Sequence, residues 1–112
     1  MDCVFCRVIA KELPADFVYE DDEIVAFRDI HPAAPVHVLV VPRRHVTSVT
    51  ALTEADAAFV GKLVLVGARI AREQGIADNG FRFSTNVGEH GRQSVPHLHF
   101  HLMGGRKLTT EV

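Results

Sequence analysis

SVPHLHFHLMGG, Ser94 to Gly105, decides how this chain is read. Histidines stand at every second position, His97, His99 and His101. Leu98, Phe100 and Leu102 fill the alternate places. On a strand, alternate side chains share a face. The spacing predicts a strand that points three imidazoles one way and anchors itself through the apolar residues on the other.

The rest of the chain supplies partners for such a strand. VHVLVVP, residues 36–42, is a β-branched run ended by Pro42. FRFSTNV, residues 81–87, is a further strand, separated from the histidines by the glycine loop GEHGRQSV. DFVYEDDEIVAFRDI reads as two short strands about an acidic turn at Glu20–Glu23. Pro32 and Pro35 bracket a loop. TEADAAFVGKLVLVGARIAREQG is the long helix. Thr53 and Asp56 form its capping box, and Gly75 is its C-terminal stop. Phe59, Leu63, Val66 and Ile70 recur at helical spacing, as do Val60, Val64 and Ala71. DCVFCRVIAKEL reads as a short helix with Asp2 near its start and Phe5, Val8 and Ile9 on one side. Close successive strands favour antiparallel pairing. The expectation is an α+β domain spanning 1–112, a mostly antiparallel sheet with one long and one short helix.

Composition bounds the function. The 112 residues fit one domain, and 47% are apolar, enough for a core. The net charge of −2 gives no basic surface for nucleic acid. No apolar run approaches the roughly 20 residues that cross a bilayer. The start lacks the apolar core of a secretory signal, so a cytoplasmic protein with no membrane partner is expected. Four of the seven histidines fall between His90 and His101.

Three readings of the triad compete. Half-buried histidines on a polar sheet face are the bland one. A shared catalytic metal is the second. Adjacent i and i+2 histidines can share zinc, but the outer pair is separated by roughly 13 Å along an extended strand. Zinc–nitrogen bonds are only about 2 Å. The third is phosphate chemistry. An imidazole with its ordinary pKa is largely neutral at physiological pH and attacks phosphorus well. Its neighbours can donate to the phosphoryl oxygens. The glycine loop can offer backbone N–H groups to an anion. It is not a Walker A loop, because the lysine and the final Ser/Thr are absent.

Cys3 and Cys6, spaced C-x-x-C, are half of a tetrahedral zinc site. Free thiols and redox chemistry are the alternatives. His37 is the one polar residue of its strand, and Asp29 precedes the proline loop. A core histidine and a turn cap are the ordinary readings of these two. His31 and His90 lie in loops, and Arg92 is placed to attract anions.

His97-Leu98-His99-Phe100-His101-Leu102-Met103 resembles the signature of the histidine triad superfamily. CVFCRVIAKELPA, YEDDEIVAFRDIHPAAPVHVLVVPRRH and GRQSVPHLHFHLMGGR resemble its Hint branch over most of residues 2–106. The resemblance implies a nucleotide-binding phosphoramidase that acts on purine nucleoside 5′-phosphoramidates, with no organic cofactor. It implies a homodimer. Carried over, His99 is the nucleophile and forms a nucleotidyl-histidine. His101 and loop amides hold the phosphoryl oxygens. His97 and His37 set the imidazole network, and Ser94 assists the leaving amine. Asp29 accepts from the ribose hydroxyls, Asn86 and Gln93 contact the phosphate or ribose side, and Ile30 lines the base pocket. Bacterial members complete a structural Zn2+ site with the counterparts of His45 and His97, beside Cys3 and Cys6. Two features depart from animal Hint proteins: Pro96 stands where they have an aromatic residue, and the tail has no tryptophan. Leaving-group preference therefore does not carry over. A dinucleoside polyphosphate hydrolase and a nucleotide-binding regulatory module with little turnover are the competing functions.

Overall fold

The computed structural model describes residues 3–110. Five strands form one sheet: β1 (Phe17–Glu20), β2 (Ile24–Arg28), β3 (Val36–Pro42), β4 (Phe81–Thr85) and β5 (Phe100–Gly104). Their order is β1-β2-β3-β5-β4, and every neighbouring pair is antiparallel. Helix α1 is Val4–Ile9 and helix α2 is Ala57–Glu73. The expected α+β architecture is the observed one. Among the described residues, no helix is long and apolar enough to cross a membrane.

Period-two alternation in β2 and β3 builds two cores, one on each side of the sheet. Ile24, Ala26, Val38 and Val40 face α2, with Leu98 and Leu102 beside them. Val25, Phe27, Leu39 and Val41 face α1 and meet Phe5 and Val8. Both faces are covered, so these central strands are apolar almost throughout. The acidic turn between β1 and β2 is tied by Asp21, whose Oδ1 accepts from the N–H of Glu23 and Ile24.

In α2, Leu63, Val66, Ile70 and Ala71 are buried as the spacing predicts, and Phe59 is half-buried against them. Val64 is not: it is 49% exposed, on the solvent side of the stripe. Asp56 Oδ2 accepts from Thr53 N at 2.9 Å, but the first turn is 3₁₀ and the α-helix starts at Ala57. Gly75 sits at φ +75°. Ile76 N bonds Ala71 O and Gly75 N bonds Arg72 O, a Schellman stop. Gly67 lets α2 approach β4, since a Cβ there would lie 2.7 Å from the Phe83 ring.

Helix α1 is N-capped by Cys3, whose Sγ accepts from Cys6 N; Asp2, expected near its start, lies outside the described residues. A further expectation needs correction. The last strand begins at Phe100, not His97. Its upstream ladder groups have other partners. Leu98 N donates to Val46 O, the His97 ring takes Pro42 O, and Thr85 Oγ1 donates to His99 O. The alternation survives this departure from the ladder. Leu98 and Leu102 point to α2, and His97 and His99 meet Phe5 on the other face.

Candidate active site

The triad rings share one face but join two different clusters, with His99 between them. His101 lies opposite Leu39 in the β3–β5 ladder, and His37 lies opposite Met103. The two histidines are therefore diagonal neighbours on one face, close enough for their rings to meet. His37 Nε2 is 2.9 Å from His101 Nδ1.

The backbone assigns the protons along this pair. Ala33 N donates to His37 Nδ1 at 3.0 Å. A neutral His37 must then carry its proton on Nε2, where it donates to His101 Nδ1. A neutral His101 carries its own proton on Nε2, free for a further acceptor. Burial lowers the pKa of His37, against the opposing Asp29 carboxylate 3.4 Å away. Burial, aided by the neighbouring His99 and His37 rings, pushes His101 down to about 4. Both rings are neutral at physiological pH.

His99 is 3% exposed. Its Nδ1 lies 2.8 Å from His97 O, so Nδ1–H donates and Nε2 keeps its lone pair. The Phe5 ring stands edge-on to it, with centroids 5.0 Å apart at 86°. The His101 ring centroid is 5.1 Å away.

His97 is fully buried, and its ring stands edge-on to Phe5 with centroids 6.0 Å apart. Nε2 donates to Pro42 O at 2.8 Å. That leaves Nδ1 bare, 3.4 Å from Cys3 Sγ, 3.6 Å from Cys6 Sγ and 3.2 Å from His45 Nδ1. Cys6 Sγ is 3.4 Å from His45 Nδ1. A tetrahedral zinc with sulfur at 2.3 Å and nitrogen near 2.0 Å has ligand–ligand edges of about 3.3–3.8 Å. The four residues match that donor set and those spacings, and the His97–Pro42 bond is the outer contact that orients a metal-binding histidine. Burial, then the adjacent Cys3 thiol, raises the Cys6 pKa; a cation would reverse that. His97 was expected in the imidazole network with His37. The structure connects only its carbonyl to that network.

The other predicted residues are placed as follows. Asp29 Oδ1 accepts from His31 N, and its Oδ2 faces His37. Ile30 is 82% exposed beside it. Asn86 Nδ2 donates to Gly91 O. Gln93 accepts from Gly88 N and donates to Thr47 O and Val95 O. Both amides therefore brace the glycine loop. The loop closes through Gln93 N to Gly88 O and Arg92 N to Glu89 O, with Arg92 at φ 60°. Gly91 is required there, because a Cβ would collide with Val87 O. Ser94 is exposed on a cleft shared with Cys3, His45 and Thr47. Phe5 and Thr85 were missed. Phe5 carries only the signal of a core residue, and a strand threonine carries none.

The HIT domain profile matches residues 10–108. Purine nucleoside phosphoramidase of Escherichia coli (strain K12) is 41% identical over 107 residues, 96% of this chain and 90% of that protein. A histidine triad protein from Clostridium difficile superposes with a TM-score of 0.95 at 41% identity, covering 100% of this chain and 97% of that one. A HIT family hydrolase from Clostridium thermocellum gives 0.94 at 40% identity, covering 99% and 96%. With the triad, the sheet order and the likeness along nearly its whole length in agreement, the chain belongs to the HIT family.

Proposed function

We propose that this HIT-family protein is a hydrolase that cleaves the P–N bond of purine nucleoside 5′-phosphoramidates through a nucleotidyl-histidine. One observation carries the reading. The His99 Nδ1–H is held on the His97 carbonyl, which leaves the Nε2 lone pair as the reactive position beside His101. The similarity to the phosphoramidase of Escherichia coli supports the substrate class.

In this reading His99 Nε2 attacks the α-phosphorus. The P–N bond to the amine breaks, and the amine leaves with a proton, assisted by Ser94. Water then cleaves the histidine–phosphorus bond and releases the nucleoside monophosphate. The proton order from Ala33 through His37 to His101 Nε2 presents a donor to the phosphoryl oxygens. That donor is a neutral, half-buried imidazole already oriented by its hydrogen bond from His37. The loop amides hold the same oxygens. Asp29 accepts from the ribose, Ile30 borders the base, and Asn86 and Gln93 shape the phosphate side.

Cys3, Cys6, His45 and His97 hold a structural zinc ion that ties α1 to the sheet. Four protein ligands leave it no open position for substrate. The protein acts as one 1–112 domain in a homodimer. Edge strand β4 and the exposed Val64, Leu65 and Phe81 support a second copy as partner.

The test is AMP release from adenosine 5′-phosphoramidate by wild type and His99→Ala, with diadenosine tetraphosphate run in parallel. Phosphoramidate turnover that disappears in His99→Ala while AMP still binds is expected. Cleavage of the dinucleotide alone would replace this reading with polyphosphate hydrolysis. Binding without turnover of either compound would make the protein a nucleotide-binding module.

A further inference from the structure

We propose that the Cys3–Cys6–His45–His97 cluster, holding a tetrahedral divalent cation, positions the His99 imidazole through two groups, the His97 main chain and the Phe5 ring. The inference rests on the metal and nucleophile readings given above.

The first connection is the His97 residue itself. Its ring is held at both nitrogens, Nδ1 at the thiols and Nε2 on Pro42 O. Its N–H donates to Val95 O at 2.8 Å. With ring and N–H both tied, the direction of its carbonyl is set. That carbonyl accepts the His99 Nδ1–H. The ligand set therefore lies one residue's main chain away from the bond that selects the His99 tautomer.

The second connection runs through α1. Cys3 and Cys6 flank Phe5, and the helix has only six residues. A helix this short does not hold itself in water, so its placement depends on what anchors it. The cluster anchors it at both thiols. Phe5 is 8% exposed and stands edge-on to His99 and, 6.0 Å away, to His97. A cation that fixes the thiols thus fixes the ring that walls the His99 imidazole.

Without the cation, His97 keeps its Pro42 bond, but Nδ1 of His97 and of His45 meet the thiols through weak S–H bonds in place of coordination. His97 and α1 then gain freedom together. His99 loses its single tautomer, and in the Nε2–H form the lone pair lies on Nδ1, on the side of the His97 carbonyl, not on the reactive Nε2. The chemical step slows, while nucleotide binding, which uses other residues, changes little. His97 and Phe5 are positioning residues in this account.

The experiment compares zinc-loaded protein, metal-free protein, His45→Ala and His45→Cys. His45 is the ligand furthest from His99 in the chain of contacts, and cysteine there restores a four-ligand set. Zinc stoichiometry is measured for each, and a backbone NMR spectrum confirms the sheet. The main readout is the ¹⁵N long-range spectrum of the His99 ring. It needs no substrate. Zinc-loaded protein and His45→Cys are expected to show one Nδ1–H tautomer. Metal-free protein and His45→Ala are expected to show a mixture, with kcat lower by at least about tenfold and KM within about twofold. A single Nδ1–H tautomer and unchanged kcat in folded metal-free protein would overturn the proposal. So would a chain that binds no zinc. If metal-free protein unfolds, His45→Cys against wild type decides: the proposal fails if their tautomer populations differ despite equal zinc. Turnover retained by His99→Ala would sink the functional reading instead, and the NMR comparison would still stand.

Discussion

His37 Nε2 sits 2.9 Å from His101 Nδ1, and the backbone N–H of Ala33 stands behind His37 at 3.0 Å. A main-chain amide cannot change its role, so it selects one tautomer for each ring in turn. Replacing His37 with Ala removes that selection. The expected result is a drop in kcat of about 10²-fold with little change in KM. His37→Gln, which can still donate from its amide, is expected to recover part of the loss. Equal kcat for wild type and His37→Ala would show that the ordering is idle in catalysis.

His101 also makes stability depend on pH. Its folded pKa, about 4, lies below the unfolded value of about 6.5. Between those values the unfolded chain binds more protons than the folded one. Stability is therefore full above about pH 6.5 and declines as pH falls toward about 4. His37, lowered in the same direction, adds to the slope. Thermal melts across this window are expected to show a falling Tm, with a shallower fall in His101→Asn. An identical slope in the variant would assign the effect to other groups.

Cys6→Ser tests the metal reading. Wild-type protein is expected to contain one zinc per chain and to lose Tm on chelation. A ligand that binds only the folded state at a thousand times its Kd stabilises it by about 4 kcal/mol. Cys6→Ser is expected to lose both the zinc and the chelator response. A wild-type Tm indifferent to chelator, with no zinc in the purified protein, would remove the ion from the account.

Thr85 Oγ1 donates to the His99 carbonyl at 2.7 Å. Thr85→Val keeps the shape and deletes the donor. A buried carbonyl left without its partner costs about 1–3 kcal/mol. Urea melts should show that loss, and Thr85→Ser should restore most of it. No change in the Thr85→Val midpoint would mean that His99 O finds another donor.

Gln93 makes three hydrogen bonds that close the glycine loop. Gln93→Ala should loosen residues 88–93. Faster amide exchange at Gly88 and a higher KM are expected together. If KM rises while exchange at Gly88 stays as in wild type, Gln93 touches the nucleotide directly rather than through the loop.

The fold was legible because it depends on periodicity. Alternating residues in 36–42 and 97–103, and the 3.6-residue stripe of α2, state which side is buried before any contact is known. Val64 was misread because its spacing fits a broad apolar stripe; how wide a stripe the sheet covers is settled only by packing. The start of β5 was misread because its main-chain groups went to Val46 and Thr85, partners remote in sequence.

By itself, the sequence determined the sheet-and-helix architecture, the placing of three histidines on one face and the identity of the residues that could serve them. These follow from local geometry, in which a side chain's direction is set by its own backbone. Only the tertiary structure decided the division of labour. His97 turns to Cys3, Cys6 and His45, while His101 turns to His37, and His99 is held by a carbonyl and an aromatic edge. A proton's position on an imidazole depends on which donor or acceptor reaches each nitrogen. Those partners lie up to 94 residues away along the chain, and no spacing rule spans that distance.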